Sequence, residues 1–243
     1  MAVTWQALEE ALARLRDAGR TPTFWWRDDD AAQPTPAVKR LSALSRTADV
    51  PLALAVVPLA AVPELFADLP ACVLMHGTDH RNRAAAGEKK TEFSVAEPYE
   101  DALRRLTVAR ERLEALAGKV LLPVIAPPWN RFPRGLVARL PEAGLLGLSG
   151  FGPLTQRAAG VMEINTHVDI VDWHGTRGFI GEEAALASLI SHISANTGEP
   201  AGVLTHHAVH EEAAWRFLGR LYETTRRQGG RWQDAMTLFR SSG

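Results

Sequence analysis

"FWWRDDDAAQPTP", residues 24–36, sets three large aromatic side chains against three consecutive aspartates, and its reading decides the rest of the chain. Phe24, Trp25 and Trp26 have the character of a buried strand end, while Arg27, Asp28, Asp29 and Asp30 follow without a spacer. Adjacent carboxylates repel one another, and an aromatic strand end solvates them poorly. A cation offsets that cost: Arg27, a metal ion or a charged substrate. The plainer reading is a solvated acidic loop ahead of a helix, since Asp is common at helix starts and Pro36 suits a first helical turn. This stretch alone leaves both open.

The flanking sequence repeats the same unit. Short apolar runs lie at residues 23–26, 52–57, 72–75, 121–126, 145–149, 167–171 and 201–206. Helical periods separate most of them, at about 36–47, 97–117, 133–143, 181–196 and 210–228, with a further amphipathic helix at about 4–19. Near-continuous apolar strands alternating with helices require a parallel sheet covered on its outer face. About seven strands predict a distorted or incomplete (β/α) barrel. No Gly-rich phosphate loop follows the first strand, which argues against a dinucleotide-binding sheet. No internal repeat or long linker divides the chain, so residues 1–243 read as one domain. The polar segment 81–97 reads as a mobile cover.

Composition narrows the class. With 27 Lys and Arg against 28 Asp and Glu, no excess positive field draws nucleic acid or an anionic membrane. Cys72, the single cysteine, sits in an apolar run and reads as a small buried residue, so no internal disulfide forms. Residues 50–66 are the most apolar stretch, but they are too few to span a bilayer and Pro51, Pro58 and Pro63 interrupt them. The N-terminus carries acidic residues where a signal peptide needs an apolar core, so a cytoplasmic location is the expectation. Nothing in the sequence sets an oligomeric state.

In a β/α barrel the reactive groups collect where the strands end. Arg27 and the three aspartates follow the first run, and His76 and His80 follow the third in "HGTDH". "PPWNR" follows the fourth, Asp169, Asp172 and Trp173 lie in or after the sixth, and His206 and His207 end the seventh. Two histidines four residues apart, joined by an aspartate from a neighbouring strand, make a three-ligand metal set with positions left for water. Such an ion would neutralise the opening acidic cluster and bring the pKa of bound water to about 7. A second aspartate beside the ligand would serve as base, with His206 as acid.

These residues, in this order, resemble the polysaccharide deacetylases, the nodulation-type chitooligosaccharide deacetylases of carbohydrate esterase family 4. The likeness runs over five motifs from about residue 21 to 207. "RDDDA" stands where the family has Thr-Phe-Asp-Asp-Gly, which implies Asp29 as catalytic base and Asp30 as metal ligand, Asp28 replacing the family's Phe, with a one-residue slip as the alternative register. "HGTDH" implies His76 and His80 as the remaining ligands. "APPWN" departs from the family's Arg-Pro-Pro-Tyr-Gly: Pro128 and Trp129 keep its shape, but Ala126 stands in place of the Arg that orients the base, leaving Arg27 or Arg131 as substitutes. "DIVDW" implies Trp173 as a wall of the acetyl pocket and Asp169 or Asp172 as the partner of the acid histidine, and "LTH" implies His206 as that acid.

The resemblance implies metal-assisted hydrolysis of an N-acetyl or related acyl group on a sugar or oligosaccharide, with one divalent ion. Two histidines and a carboxylate suit zinc, and cobalt, nickel, manganese or iron also fit. An amidase or imidase acting on a small cyclic amide is the alternative, as is a non-catalytic glycan-binding relative. Trp129 and Trp173 are expected to stack on a sugar ring. Trp5, Trp215 and Trp232 read as core, His192 is assigned no role, and His167, His174, His207 and His210 are candidates to shape the pocket.

Overall fold

The computed structural model describes residues 3–69, 71–154, 157–195 and 197–240. Among these, the strands are β1 (Thr23–Ala31), β2 (Leu52–Val56), β3 (Ala71–Met75), β4 (Leu121–Ile125), β5 (Gly147–Leu148), β6 (Met162–Glu163), β7 (Val168–Asp169), β8 (Ala201–Thr205) and β9 (Arg231–Trp232). They form one sheet in the order β6-β5-β4-β3-β2-β1-β8-β7, and β9 pairs with the start of β1. Every ladder is parallel. The helices are α1 (Trp5–Asp17), α2 (Pro36–Ala48), α3 (Tyr99–Ala117), α4 (Arg134–Val137), α5 (Glu182–Ser194), α6 (Glu212–Arg227) and α7 (Ala235–Leu238).

The sheet curls because its two edges are made by one stretch of chain. Ile164 and Thr166 donate backbone N–H groups to Leu148 and Gly150 beside β5, at 3.0 and 3.1 Å. His167 and Ile170, further along, donate to Gly202 and Leu204 of β8, at 2.7 and 3.2 Å. This seam is held by scattered bonds instead of a full strand, so the architecture is an incomplete (β/α) barrel. All seven anticipated strands are present. β6 and β9 are additional, each two residues long and too short to leave a periodic signal.

Curling separates two apolar regions. Trp25 fills the lumen against small residues, Ala53, Ala55, Cys72 and Ala126, with Leu74 and Val124, and α7 contributes Ala235 and Leu238. The larger region lies outside, where Phe24, Trp26, Leu54 and Met75 meet the apolar faces of the helices. One indole beside several alanines is how a narrow barrel reaches native packing density. Cys72 is buried, as expected, and burial pushes its thiol up.

Local chemistry sets the helix ends. The Thr35 hydroxyl accepts from the Val38 N–H at 3.3 Å and Pro36 occupies the first turn of α2, while Asp49 ends it in the left-handed region. The helix anticipated at 133–143 is broken: α4 stops at Val137 and a separate tight turn spans Leu140–Ala143. Pro141 lacks the N–H that a continuous helix needs. Asn196, the last position of the helix anticipated at 181–196, lies outside the described residues. Among the described residues no helix is long and apolar enough to cross a membrane.

Candidate active site

Strand pleating sorts the acidic run. Successive side chains of β1 point to opposite faces, so Trp25 faces the lumen while Phe24 and Trp26 face the helices. Arg27 and Asp29 continue the inward set, whereas Asp28 continues the outward one and meets His207. Strict alternation would turn Asp30 away from Asp29. It does not, because the register between β1 and β2 shifts between Asp28 and Ala31 and Asp30 takes a positive φ of 71°. Bulges of this kind re-aim side chains, and here one brings two adjacent carboxylates to the same mouth of the barrel.

Asp30 Oδ1 lies 3.0 Å from His76 Nε2 and 3.1 Å from His80 Nε2. One ligand atom from each residue falls within 4.8 Å of the others, a spacing that a single ion can bridge. Burial acts to raise the Asp30 carboxyl, but hydrogen bonds from His76 and His80 outweigh it and hold the group well below the usual carboxylate range. For His76 burial acts downward, and the Asp29 and Asp30 carboxylates reverse it, so its imidazole is raised overall. Oxygen and imidazole donors on a barrel rim, with Asp30 and His80 partly exposed, fit a divalent transition metal that keeps open positions. Among the described residues His76 Nδ1 has no hydrogen-bond partner, and Asp29 Oδ2 faces it at 3.9 Å. Carboxylates commonly face the far nitrogen of a ligating histidine in this way.

The "HGTDH" loop is folded around a residue the sequence did not flag. Glu92 is fully buried and accepts from the Thr78 and Asp79 backbone N–H groups at 2.8 and 3.1 Å, and from the Thr78 hydroxyl. Gly77, at φ 62°, admits no side chain: a Cβ there would lie 2.0 Å from Glu92 Oε2 and 2.6 Å from the Pro128 ring. Pro128 thus shapes this loop from the end of the neighbouring strand β4. Far from being a detached cover, segment 81–97 carries the carboxylate that pins the loop presenting both histidines.

Arg27 answers the question posed by the loss of an arginine at Ala126. It is wholly buried, its Nε lies 2.8 Å from Asp29 Oδ1, and its Nη2 donates to Asp29 Oδ2 at 3.0 Å. Nη2 also donates to Asn130 Oδ1 at 2.8 Å, and Nη1 donates to the Ser149 carbonyl and hydroxyl at 2.6 and 2.7 Å. The guanidinium therefore orients Asp29 from beneath, from the same strand. Arg131 is corrected as a substitute: it turns outward and donates to the Lys90 carbonyl at 2.7 Å. Asn130 and Ser149 escaped sequence reading because their only signal is the geometry of Arg27.

On the opposite side of Asp29 stands His206, whose Nε2 is 4.0 Å from Asp29 Oδ2 and whose Nδ1 is 3.9 Å from Asp169 Oδ1. Asp169 also accepts from Trp173 Nε1 at 2.8 Å, and the Trp173 ring meets His206 edge-on at 4.7 Å. Burial raises the Asp169 carboxyl, against the opposing effects of His206 and the Trp173 bond. Trp129 packs on His80 with ring centroids 4.6 Å apart. Two expectations are corrected here. Asp172 accepts from the Gly175 and Thr176 N–H groups, capping its own turn, so Asp169 alone neighbours the histidine. Asp28 cannot line the site, because the pleat turns it toward His207, at 2.6 Å. Among the other histidines, His167 stacks on His192 at 3.7 Å near the start of β8, away from the strand ends that carry this cluster.

No family model matches the sequence, and no curated protein does. Solved structures do match across nearly the whole chain. Similar folds include the Bc1960 peptidoglycan N-acetylglucosamine deacetylase (TM-score 0.59, 15% identity, 91% of this chain and 89% of that one). A family 4 carbohydrate esterase from Streptomyces lividans, solved with acetate, gives 0.57 and 14% over 86% and 91%. A CE4 family pseudoenzyme from Bacillus anthracis gives 0.60 and 14% over 90% and 66%. The chain has the fold of the family 4 carbohydrate esterases, as its motifs led one to expect. A pseudoenzyme among the neighbours means that fold does not by itself supply activity, which has to be argued from the site.

Proposed function

We propose that this chain is a metal-dependent hydrolase that removes N-acetyl or related acyl groups from a sugar or oligosaccharide. The observation that carries the reading is the juxtaposition of an Asp30–His76–His80 triad with Asp29, itself gripped by Arg27, on one barrel mouth. When bound, a divalent ion, zinc by the character of its donors, would acidify a coordinated water and polarise the acyl carbonyl.

The protein's own groups supply the rest. Asp29 Oδ2 faces both His76 and His206, so a carboxylate held there is placed to take a proton from water at the mouth. Arg27 balances its charge and fixes its plane, which limits the reorganisation a general base would otherwise undergo. His206, across the mouth, is placed to deliver a proton to the departing amine, with Asp169 behind its other nitrogen. Trp173, 40% exposed, and Trp129 offer flat apolar faces on either side, suited to sugar rings. The partial exposure of Asp30, His80 and Trp173 favours a substrate that projects beyond the site over a small cyclic amide sealed within a pocket. The non-catalytic reading loses its motive, because Arg27 fills the role left open at Ala126.

The test is acetate release from a panel of N-acetylated chitooligosaccharides by metal-loaded protein, with Asp29→Asn alongside. Wild-type release, reduced about 10²- to 10⁴-fold in the variant at unchanged metal content, is the expected result. Equal turnover by the two proteins would remove Asp29 as base, and no release from any N-acetylated sugar would remove the deacetylase reading.

A further inference from the structure

Among the described residues, His206 makes no side-chain hydrogen bond: its nearest carboxylates stand at 3.9 and 4.0 Å. Its aim is therefore set by the Trp173 edge beside it and by its backbone, which leaves β8 and enters a tight turn at His207–Val209. That backbone is gripped on both sides of His206 by one residue. Asp28 Oδ2 accepts from the Thr205 hydroxyl at 2.6 Å and from the His207 backbone N–H at 3.0 Å, and Asp28 Oδ1 faces His207 Nδ1 at 2.6 Å. A carboxylate only accepts, so Nδ1 carries the proton in that contact. The Thr205 oxygen in turn accepts from Trp26 Nε1 at 2.8 Å, which fixes the direction of its own proton.

We propose that Asp28 is a positioning residue for His206, clamping Thr205 and His207 so that the imidazole between them points across the mouth toward Asp29. This rests on the reading of His206 as the proton donor. The position of Asp28 argues for such a role. It is fully buried on the outer face of β1, a layer where its strand neighbours Phe24 and Trp26 are apolar and where Tyr222 is also sealed. A buried ionic pair is usually no more stabilising there than well-packed apolar side chains. What an apolar residue could not do is hold three donors from the two residues that flank one histidine.

The experiment compares two leaving groups. An N-acetyl chitooligosaccharide must expel an amine, which needs a proton, whereas 4-nitrophenyl acetate expels a phenolate that leaves without one. In Asp28→Ala, amide kcat should fall about tenfold to a hundredfold, the cost of a misplaced catalytic group, while KM, ester turnover and metal content change little. Asp28→Asn should recover most of the amide rate, since its oxygen can accept from Thr205 and His207 N–H and its NH2 can donate to His207 Nδ1 in the other tautomer. Should Asp28→Ala not fold, Thr205→Val removes one donor at similar volume, and the amide-to-ester ratio should still drop. An unchanged ratio in a folded variant, whatever its Tm, overturns the proposal. If wild type hydrolyses neither substrate the deacetylase reading fails, and the clamp is then read from imidazole NMR: one ring environment for His206 in wild type and several in the variant, with identical spectra overturning it.

Discussion

Arg27 carries a full charge at zero exposure, and its value to the molecule follows from what removing it would leave behind. Asp29 would stay buried with no cation beside it, while Asn130 and Ser149 would lose the donor that links them. Breaking one side of a buried pair typically costs about 3–5 kcal/mol. Arg27→Met in chelated protein should therefore lower Tm by about 10 °C, at roughly 2–4 °C per kcal/mol for a chain of this size. Arg27→Lys should restore only part of this, because one ammonium cannot reach Asp29, Asn130 and Ser149 together. A Tm within a degree or two of wild type for Arg27→Met would contradict the role. The proposed metal triad should behave differently: His76→Ala and His80→Ala should each lose the ion while keeping the fold, as read by metal analysis beside circular dichroism. Full occupancy in both would dismiss the ligand set. The two histidines were legible from their spacing, and Asp30 from the resemblance of the motif around it. The choice between Arg27 and Arg131 was not, since it depends on which face of β1 each side chain meets and where the chain folds back 103 residues later at Asn130.

At the scale of elements, strands and helices announced themselves because each is a local periodic pattern. β6, β9 and the seam between β6 and β7 did not, because β6 and β9 are two residues long and the seam's bonds are made to partners set by the closing of the barrel. The same holds for the histidine loop. Its spacing was visible in the sequence, but its shape depends on Glu92, which arrives 14 residues later than the Thr78 N–H it binds. Glu92 itself is placed by neighbours of segment 81–97: the Phe93 ring packs on Phe132 at 4.7 Å, and Arg105 donates to the Glu92 carbonyl at 3.3 Å. Removing the carboxylate should loosen the loop without touching a ligand. Glu92→Ala should weaken metal binding about tenfold to a hundredfold, the usual cost of losing a group that orients ligands. A metal titration against a competing chelator reads this directly, and unchanged affinity with an intact fold would show that the loop holds its shape unaided.

The whole molecule should be sensitive to acid for a reason unrelated to catalysis. Burial lowers His210 to about 4, its two ring nitrogens have no hydrogen-bond partner among the described residues, and its ring meets Trp215 edge-on at 4.7 Å. Burial likewise lowers His167 to about 3, where Nδ1 accepts the Gly202 N–H at 3.2 Å and the ring stacks on His192. One site lies near the mouth of the barrel and the other near its base, so acid acts on both ends. The sign follows from proton uptake. Below pH 6.5, the ordinary value, an unfolded chain binds protons that these two folded sites refuse, so stability falls as pH falls until each folded pKa is reached. Asp30 and Asp79, both held well below the usual carboxylate range, add a second loss in a more acidic window, below their ordinary value of 3.8. In chelated protein, Tm should decline steadily between pH 6.5 and 4. His210→Phe, which keeps an aromatic edge against Trp215 and has no proton to gain, should decline less steeply over that interval. The gain per pH unit should stay below the limit of about 1.4 kcal/mol for one proton, since the ring is partly screened by solvent. Below pH 4 the gap between the two proteins should stop widening, because folded His210 then takes up its proton as well. Parallel curves from pH 6.5 to 4 would mean that His210 charges as readily in the fold as outside it, and that the decline over this interval belongs to His167.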